Sequence, residues 1–213
     1  MAQQYILVVD GLDKVLSSLD ELPANLIAAA RMAVNDATKF GRKMAADKVL
    51  RSVALPADYV SNSNGRLHIT QYAKGNDLEA IIKARARPTS LARFATDSGN
   101  RATGVGVQVS KGSAKRIKGA WLIKLKSGSA DLDTKSNMGL AVRTKDGKRP
   151  PGYKPVNIKG TNIWLLYGPS VAQILTSDPS WMKDQGGVID KITDPIADKL
   201  EAEFHRQRAR LNA

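Results

Sequence analysis

The hydrophobic period of this chain changes from about 3.6 residues to 2 and back again, and this constrains the fold more than any single residue. Ile27, Ala30, Val34, Ala37, Gly41, Met44, Ala45, Lys48 and Val49 fall three to four apart, the spacing of a helix that presents one face. Pro23 suits the first helical position, where its missing N–H is not needed, so the spacing predicts a helix from there to about Leu50. The stripe is rich in Ala and includes Gly41, so another element can approach this backbone closely. Upstream, Gln4 to Val9 reads as a strand closed by Asp10-Gly11, and Leu12, Val15, Leu16 and Leu19 read as a shorter helix. Downstream, Leu55 to Val60 reads as a further turn or two of helix and Ser61 to Gly65 as a turn.

In the middle the pattern alternates. Leu67, Ile69 and Gln71 form one alternating run, and Leu78, Ala80, Ile82 and Ala84 form another after the Gly75-Asn76-Asp77 turn. Val105, Val107 and Val109 alternate again, and Gly119 to Leu125 is an apolar run around Trp121. The intervals 87–103, 110–118 and 126–137 read as loops and 147–155 as irregular. None of these intervals offers a crossover helix, so antiparallel pairing is expected. Ile163 to Tyr167 reads as a buried strand stopped by Gly168-Pro169, and Ser170 to Leu175 as a short helix.

The helical period then returns. Val188, Ile189, Ile192, Ile196, Leu200 and Phe204 lie on one face; Asp190, Lys191, Asp198, Lys199, Glu201, Glu203 and Arg206 are assigned to the other. Pro195 bends this helix or marks its first turn. The expected fold is α+β: an antiparallel β-sheet packed by a long N-terminal helix pair and a C-terminal amphipathic helix, with long basic loops. It is read as one domain, 1–213, with an N-terminal helical part (1–60), a β-rich basic part (61–167) and a C-terminal helical part (168–213).

Charge is distributed as unevenly as the period. Lys83 to Arg149 holds sixteen Lys/Arg against four acids, a net of +12 in a chain whose total is +13. Such a block faces a polyanion or an acidic partner, or is simply a solvated basic surface. At 213 residues and 42% hydrophobic content there is enough chain for a sizeable core. Cysteine is absent, which excludes disulfides, thiolate metal sites and cysteine nucleophiles, and fits a reducing compartment. No apolar run approaches the roughly 18–20 residues of a membrane span, and Met1 to Val9 lacks the basic start of a signal peptide. The expectation is a soluble protein made in the cytoplasm, with no membrane partner.

Catalytic constellations are not found. The two histidines, His68 and His205, carry no second His, Asp or Glu read at metal-ligand spacing, and no Gly-x-Ser-x-Gly elbow accompanies either. Gly104-Val105-Gly106 reads as a bend in a strand rather than a nucleotide loop, and no Gly-Lys-Ser/Thr phosphate loop occurs. Asp131 and Asp133 read as turn residues in a Ser/Gly-rich loop. No catalytic, metal or cofactor residue is assigned, and no enzymatic activity is expected.

Lys111, Lys115, Arg116, Lys118, Lys124 and Lys126 cluster around one predicted hairpin, while Arg85, Arg87, Arg93 and Arg101 surround the preceding loop. The candidate partner or DNA contacts are Arg87, Arg93, Lys111, Lys115, Arg116, Lys118, Lys124 and Lys126. Such clusters neutralise phosphate. Sequence readout would need a recognition helix or stacking aromatics; aromatics are 5% of the chain, and Trp121 and Trp164 sit in apolar runs read as core. Any nucleic-acid contact is therefore expected to be nonspecific. The stretches 87–103 and 126–155 are expected to be mobile in an isolated protomer, being glycine- and charge-rich with sparse apolar anchors.

Several stretches, in order, resemble the minor tail protein Z family, the tail-completion proteins of tailed bacteriophages and prophages. They are Leu22-Pro23-Ala24 opening the Ala-rich helix with Asn35 and Arg42, then Pro88 to Phe94, then Gly112 to Trp121. Leu166-Tyr167-Gly168-Pro169-Ser170-Val171 and Leu200 to Gln207 complete the set. Ser127 to Pro155 departs from the pattern. The resemblance implies a structural virion protein at the head-proximal end of the tail: a self-associating ring, by default a hexamer. Its implied partners are tail tube, tail terminator and head–tail connector proteins. The basic block would then meet acidic surfaces of adjoining rings or genomic DNA passing through.

Overall fold

A computed structural model describes residues 6–7, 23–125, 137–152, 154–176 and 188–211. The chain sorts into two compact units, each assembled from separated stretches. The first comprises Met1–Val49, Ala57–Ala86 and Ala172–Ala213; the second comprises Leu50–Pro56 and Arg87–Val171. The tripartite division along the sequence thus becomes a bipartite one in space.

The first unit is built on helix packing. It holds α1 (Ala24–Ser52, whose last three residues belong to the second unit), α2 (Val171–Thr176, from Ala172) and α3 (Val188–Leu211). A three-stranded antiparallel sheet sets β3 (Ile81–Ala84) between β1 (Ile6–Leu7) and β2 (Leu67–Gln71). Pro23 stands just before α1, its carbonyl accepting the N–H groups of Leu26 and Ile27 at 2.9 and 3.3 Å. Of the predicted stripe, Ala30, Val34, Ala37, Gly41, Ala45 and Val49 are buried, joined by Ala33, while Ile27, Met44 and Lys48 are half-buried. At Gly41 the close approach is realised, because a Cβ there would lie 2.6 Å from Cδ1 of Ile196 on α3.

Two polar side chains of α1 brace the unit. The Asn35 amide donates to the Ala73 carbonyl at 3.1 Å and accepts from the Ala73 N–H at 2.8 Å. Arg42 donates to the carbonyls of Val60 and Leu67 at 3.2 and 3.4 Å. Both satisfy backbone groups that helix and strand leave unpaired.

On α3 the phase of the sequence reading needs one correction. Glu203 is buried, 7% exposed, not on the outer face. It follows Ile196 by seven residues, two helical turns, so it shares that residue's inward face. Burial of the carboxylate is compensated by Lys199 at 2.7 Å and Arg206 at 2.5 Å. Those hydrogen bonds, Lys199's first and then Arg206's, hold the Glu203 carboxyl below the usual glutamate range.

The second unit is built on sheet. β10 (Ile163–Gly168) is flanked by β8 (Met138–Arg143) and by β9 (Lys154–Asn157), with β7 (Trp121–Lys124) beyond β8 and β4 (Thr89–Ser90) paired to the end of β10. Every pairing is antiparallel. A separate hairpin joins β5 (Val105–Val107) to β6 (Lys115–Ile117).

Helices with antiparallel sheets, a long N-terminal helix and a C-terminal helix make the α+β class plain. The shorter first helix of the expected pair lies outside the described residues. β6 and β9 fall where loop or irregular chain was read, and β8 falls in a stretch given no element, for identifiable reasons. β6 is Lys-Arg-Ile, with too little apolar content to signal. β9 carries Pro155, which lacks an N–H and is tolerated at a sheet margin. β8 places Gly139 and Ala141 on one face and so lacks the large alternating residues that announce a strand.

The reading of 87–103 as loop is likewise corrected. It contains β4 and a 3₁₀ turn, Leu91–Phe94, whose Leu91 and Phe94 are 0% and 2% exposed. The Ser90 hydroxyl caps that turn by accepting from the Ala92 N–H and donates to the Met138 carbonyl. Of the 126–155 stretch, β8 is likewise anchored, with Leu140 and Ala141 fully buried.

Candidate interaction surface

Folding redistributes the basic block. Lys83 and Arg85 join the first unit, while Arg51, Lys154 and Lys159, outside the block in sequence, join the second. Among described residues the second unit carries fifteen Lys/Arg against two acids, Asp97 and Asp146; the first carries fourteen against ten. Both described acids of the second unit are paired within it. Asp146 meets Lys148 at 3.5 Å. Asp97 meets Arg116 at 2.5 Å and accepts the Gly106 N–H at 3.2 Å. The Gly106 N–H, followed by Arg116, holds the Asp97 carboxyl below its ordinary value.

Lys111, Lys115 and Lys118 are exposed on and beside the β5–β6 hairpin, and Lys124 is exposed at the end of β7. Arg87 is exposed, and Arg93 is half-buried in the 3₁₀ turn; each makes further interactions. Lys126 lies outside the described residues. Arg116, half-exposed, also has a structural role. Besides binding Asp97 it donates to the carbonyls of Gly104 and Thr103 at 3.0 and 3.4 Å, closing the 97–104 loop onto β6. Gly104 holds a positive φ of 72° there, and a Cβ would strike the Ile117 carbonyl oxygen. Arg85 is also held internally, donating to the Tyr59 hydroxyl at 3.3 Å, while the Arg66 guanidinium lies 4.2 Å over the Tyr59 ring.

Trp121 and Trp164 are half-buried rather than enclosed. The Arg101 guanidinium lies 4.1 Å over the Trp121 ring, a cation–π contact between residues twenty apart that no local spacing announces. Trp164 has its indole N–H buried, with no acceptor among the described residues.

The five-stranded sheet has two unlike faces. A Cβ on Gly168 would meet Leu91 and Phe94 at 3.0 and 3.3 Å, so that face is closed by the 3₁₀ turn. A Cβ on Gly139 would meet Leu125 and Leu165 at 3.0 Å, which marks the opposite face. There, strand register aligns Val156, Leu165, Ala141 and Trp121 across β9, β10, β8 and β7. Ala141 is fully buried, but Leu165 and Trp121 are half-exposed and Val156 is 52% exposed. Alternation puts the exposed Arg143 and Lys154 on this same face. The result is a half-open apolar row, closed at Ala141 and most exposed at Val156, with cations at its rim.

In the first unit, Ala45, Leu67, Ile82, Ala172, Leu175 and Ile192 line an apolar cavity of ≈ 20 Å³, room for about one water. No group of three or more His, Asp or Glu able to hold a metal occurs among the described residues. His68 lies half-buried on β2, and exposed His205 has Nε2 3.9 Å from Glu201 Oε1, a carboxylate one turn away that the sequence reading passed over. No helix among the described residues is long and apolar enough to cross a membrane. No protein-family model, curated protein or solved structure matches the chain.

Proposed function

We propose that this chain is a structural subunit of a tailed-phage particle, a tail-completion or neck protein that acts by assembly rather than catalysis. The observation that carries the reading is the second unit's surface: one-signed charge beside a half-exposed apolar sheet face, a combination that fits a protein neighbour. The ordered resemblance to tail-completion proteins names the setting, a ring at the head-proximal end of the tail that joins tail tube, terminator and connector proteins. Rings need heterologous contacts that close, and the tail's symmetry makes a hexamer the expected state.

Cryo-EM of particles and mass photometry of the purified chain test this. Density for the chain at the tail–head junction is the expected result; a strict monomer absent from particles overturns it. Neutralising Lys111, Lys115 and Lys118 together is expected to leave the fold intact and impair particle assembly. Arg116 is left in place because it holds the 97–104 loop.

A second reading, nonspecific nucleic-acid binding, draws on the Arg101–Trp121 stack beside exposed lysines. A steep fall of DNA affinity with salt supports it, and no binding at low salt removes it.

A further inference from the structure

We infer that the open face of the five-stranded sheet in one copy receives the outer flank of α3 from a second copy. This rests on the assembly reading above and names the surfaces of its self-contact. The sheet side is the row Val156, Leu165, Ala141 and Trp121, with Arg143, Lys154 and Arg101 around it. It displays cations and apolar groups, and its unit's two described acids are already engaged.

The α3 side has the complementary character. Asp190, Asp194, Asp198 and Glu201 are all exposed. At about 100° per residue they fall within an arc of roughly 80°, which exposed His205 and Arg208 share at its C-terminal end, leaving the flank with four carboxylates to one arginine. Beside them, exposed Ala197, half-buried Phe204 and 40% exposed Leu211 fall within about 40° of one another, forming an apolar seam. The inward face of Ile192, Ile196 and Glu203 lies on the other side of the helix. One flank thus offers carboxylates beside an apolar seam, and the sheet offers cations beside an apolar row.

Charge also selects the partner surface. Sheet against sheet would oppose cations to cations, and α3 flank against α3 flank would oppose carboxylates, so neither like pairing is favoured. The contact is therefore heterologous, which propagates from copy to copy and can close into a ring. A nucleic acid would neutralise Arg143 and Lys154 but supplies no apolar ridge to cover Val156 and Leu165.

The test is a charge exchange in the full chain. Arg143→Glu with Lys154→Glu, and separately Asp194→Lys with Asp198→Lys, replace exposed residues, and circular dichroism verifies the fold. Self-association is read by mass photometry and sedimentation at low and high salt. Each pair is expected to weaken association about tenfold or more, and the two pairs combined are expected to restore it. Association untouched by either pair overturns the assignment of surfaces while leaving a ring subunit in place. Loss with the sheet pair but no restoration by the α3 pair overturns α3 as the occupant, and protection of the sheet face by a DNA oligonucleotide instead points to a nucleic acid. A chain monomeric under all conditions overturns the inference; its presence in particles then decides whether the assembly reading survives.

Discussion

The two units solve the problem of making a core in opposite ways. The first brings helices together through small residues: Gly41 and the alanines of α1 leave room for Ile196, and charge is nearly balanced around them. The second stacks a short 3₁₀ turn on a sheet, seals one face with Leu91 and Phe94, and leaves the other half-open among cations. Side chains that cross long sequence distances are braces in the first unit, as Asn35 and Arg42 are. In the second, Arg116 braces a loop, while the other exposed cations of the hairpin remain on the surface. The one-signed unit offers a neighbour an apolar row among cations, whereas the nearly balanced unit offers only the outer flank of α3.

The largest effect is expected in the second unit. Phe94→Ala removes a ring that is 2% exposed and should cost about 3–5 kcal/mol. Denaturant unfolding followed by tryptophan fluorescence in a Trp181→Phe background measures it, since the two remaining tryptophans, Trp121 and Trp164, both lie in that unit. A cost below about 1 kcal/mol would mean that 87–103 is as loosely anchored as its composition implied.

Next comes the helix contact. Gly41→Leu should cost about 1–3 kcal/mol by overpacking against Ile196, read as a shifted helical transition by circular dichroism. Gly41→Ala is expected to be close to neutral. Its methyl meets the movable end of Ile196, and alanine gains up to about 1 kcal/mol of helix propensity. If the helical and fluorescence transitions shift together in these variants, the two units unfold as one cooperative body.

Asn35→Ala removes both hydrogen bonds to Ala73 and should cost about 1–3 kcal/mol, again in the helical transition. Arg116→Ala is expected to act locally, speeding amide exchange at Gly106 and through the 97–104 loop while Lys115→Ala leaves exchange there unchanged. Equal effects would erase the distinction between brace and surface cation.

The smallest effect is a pH dependence. Asp97 has a folded-state pKa below its unfolded value, so its contribution is present above the ordinary aspartate value of about 3.9 and is lost as pH falls through the depressed value. Asp97→Asn should remove that part of the acid slope. The Gly106 amide shift in wild type should titrate below the ordinary aspartate range; titration at the ordinary value would show that Gly106 and Arg116 do not stabilise the carboxylate. Glu203 follows the same sign in the first unit.

What could be read in advance followed from how strongly each element repeats. The α1 stripe, the opening for a neighbour at Gly41, the 67–71 strand, the 163–168 strand and the C-terminal helix all carry sustained periods. β6, β8 and β9 do not, because charge, small residues and proline respectively mask alternation in short strands. The candidate surface was half legible. Lys111, Lys115, Lys118 and Lys124 could be picked from clustering, but clustering cannot tell an exposed lysine from an arginine that closes a loop, as Arg116 does. Nor could it find Arg101 over Trp121, or place Lys154 and Arg143 on one face of the sheet, since those relations arise only through tertiary pairing.

By itself, the sequence determined the α+β class, the two long amphipathic helices and the excess of positive charge, because periodicity and composition are local properties. Tertiary structure alone decided which cations share a unit, which face of the sheet is closed and that Glu203 lies inside. Those outcomes depend on pairing between residues far apart in the chain, and no local pattern encodes the partner.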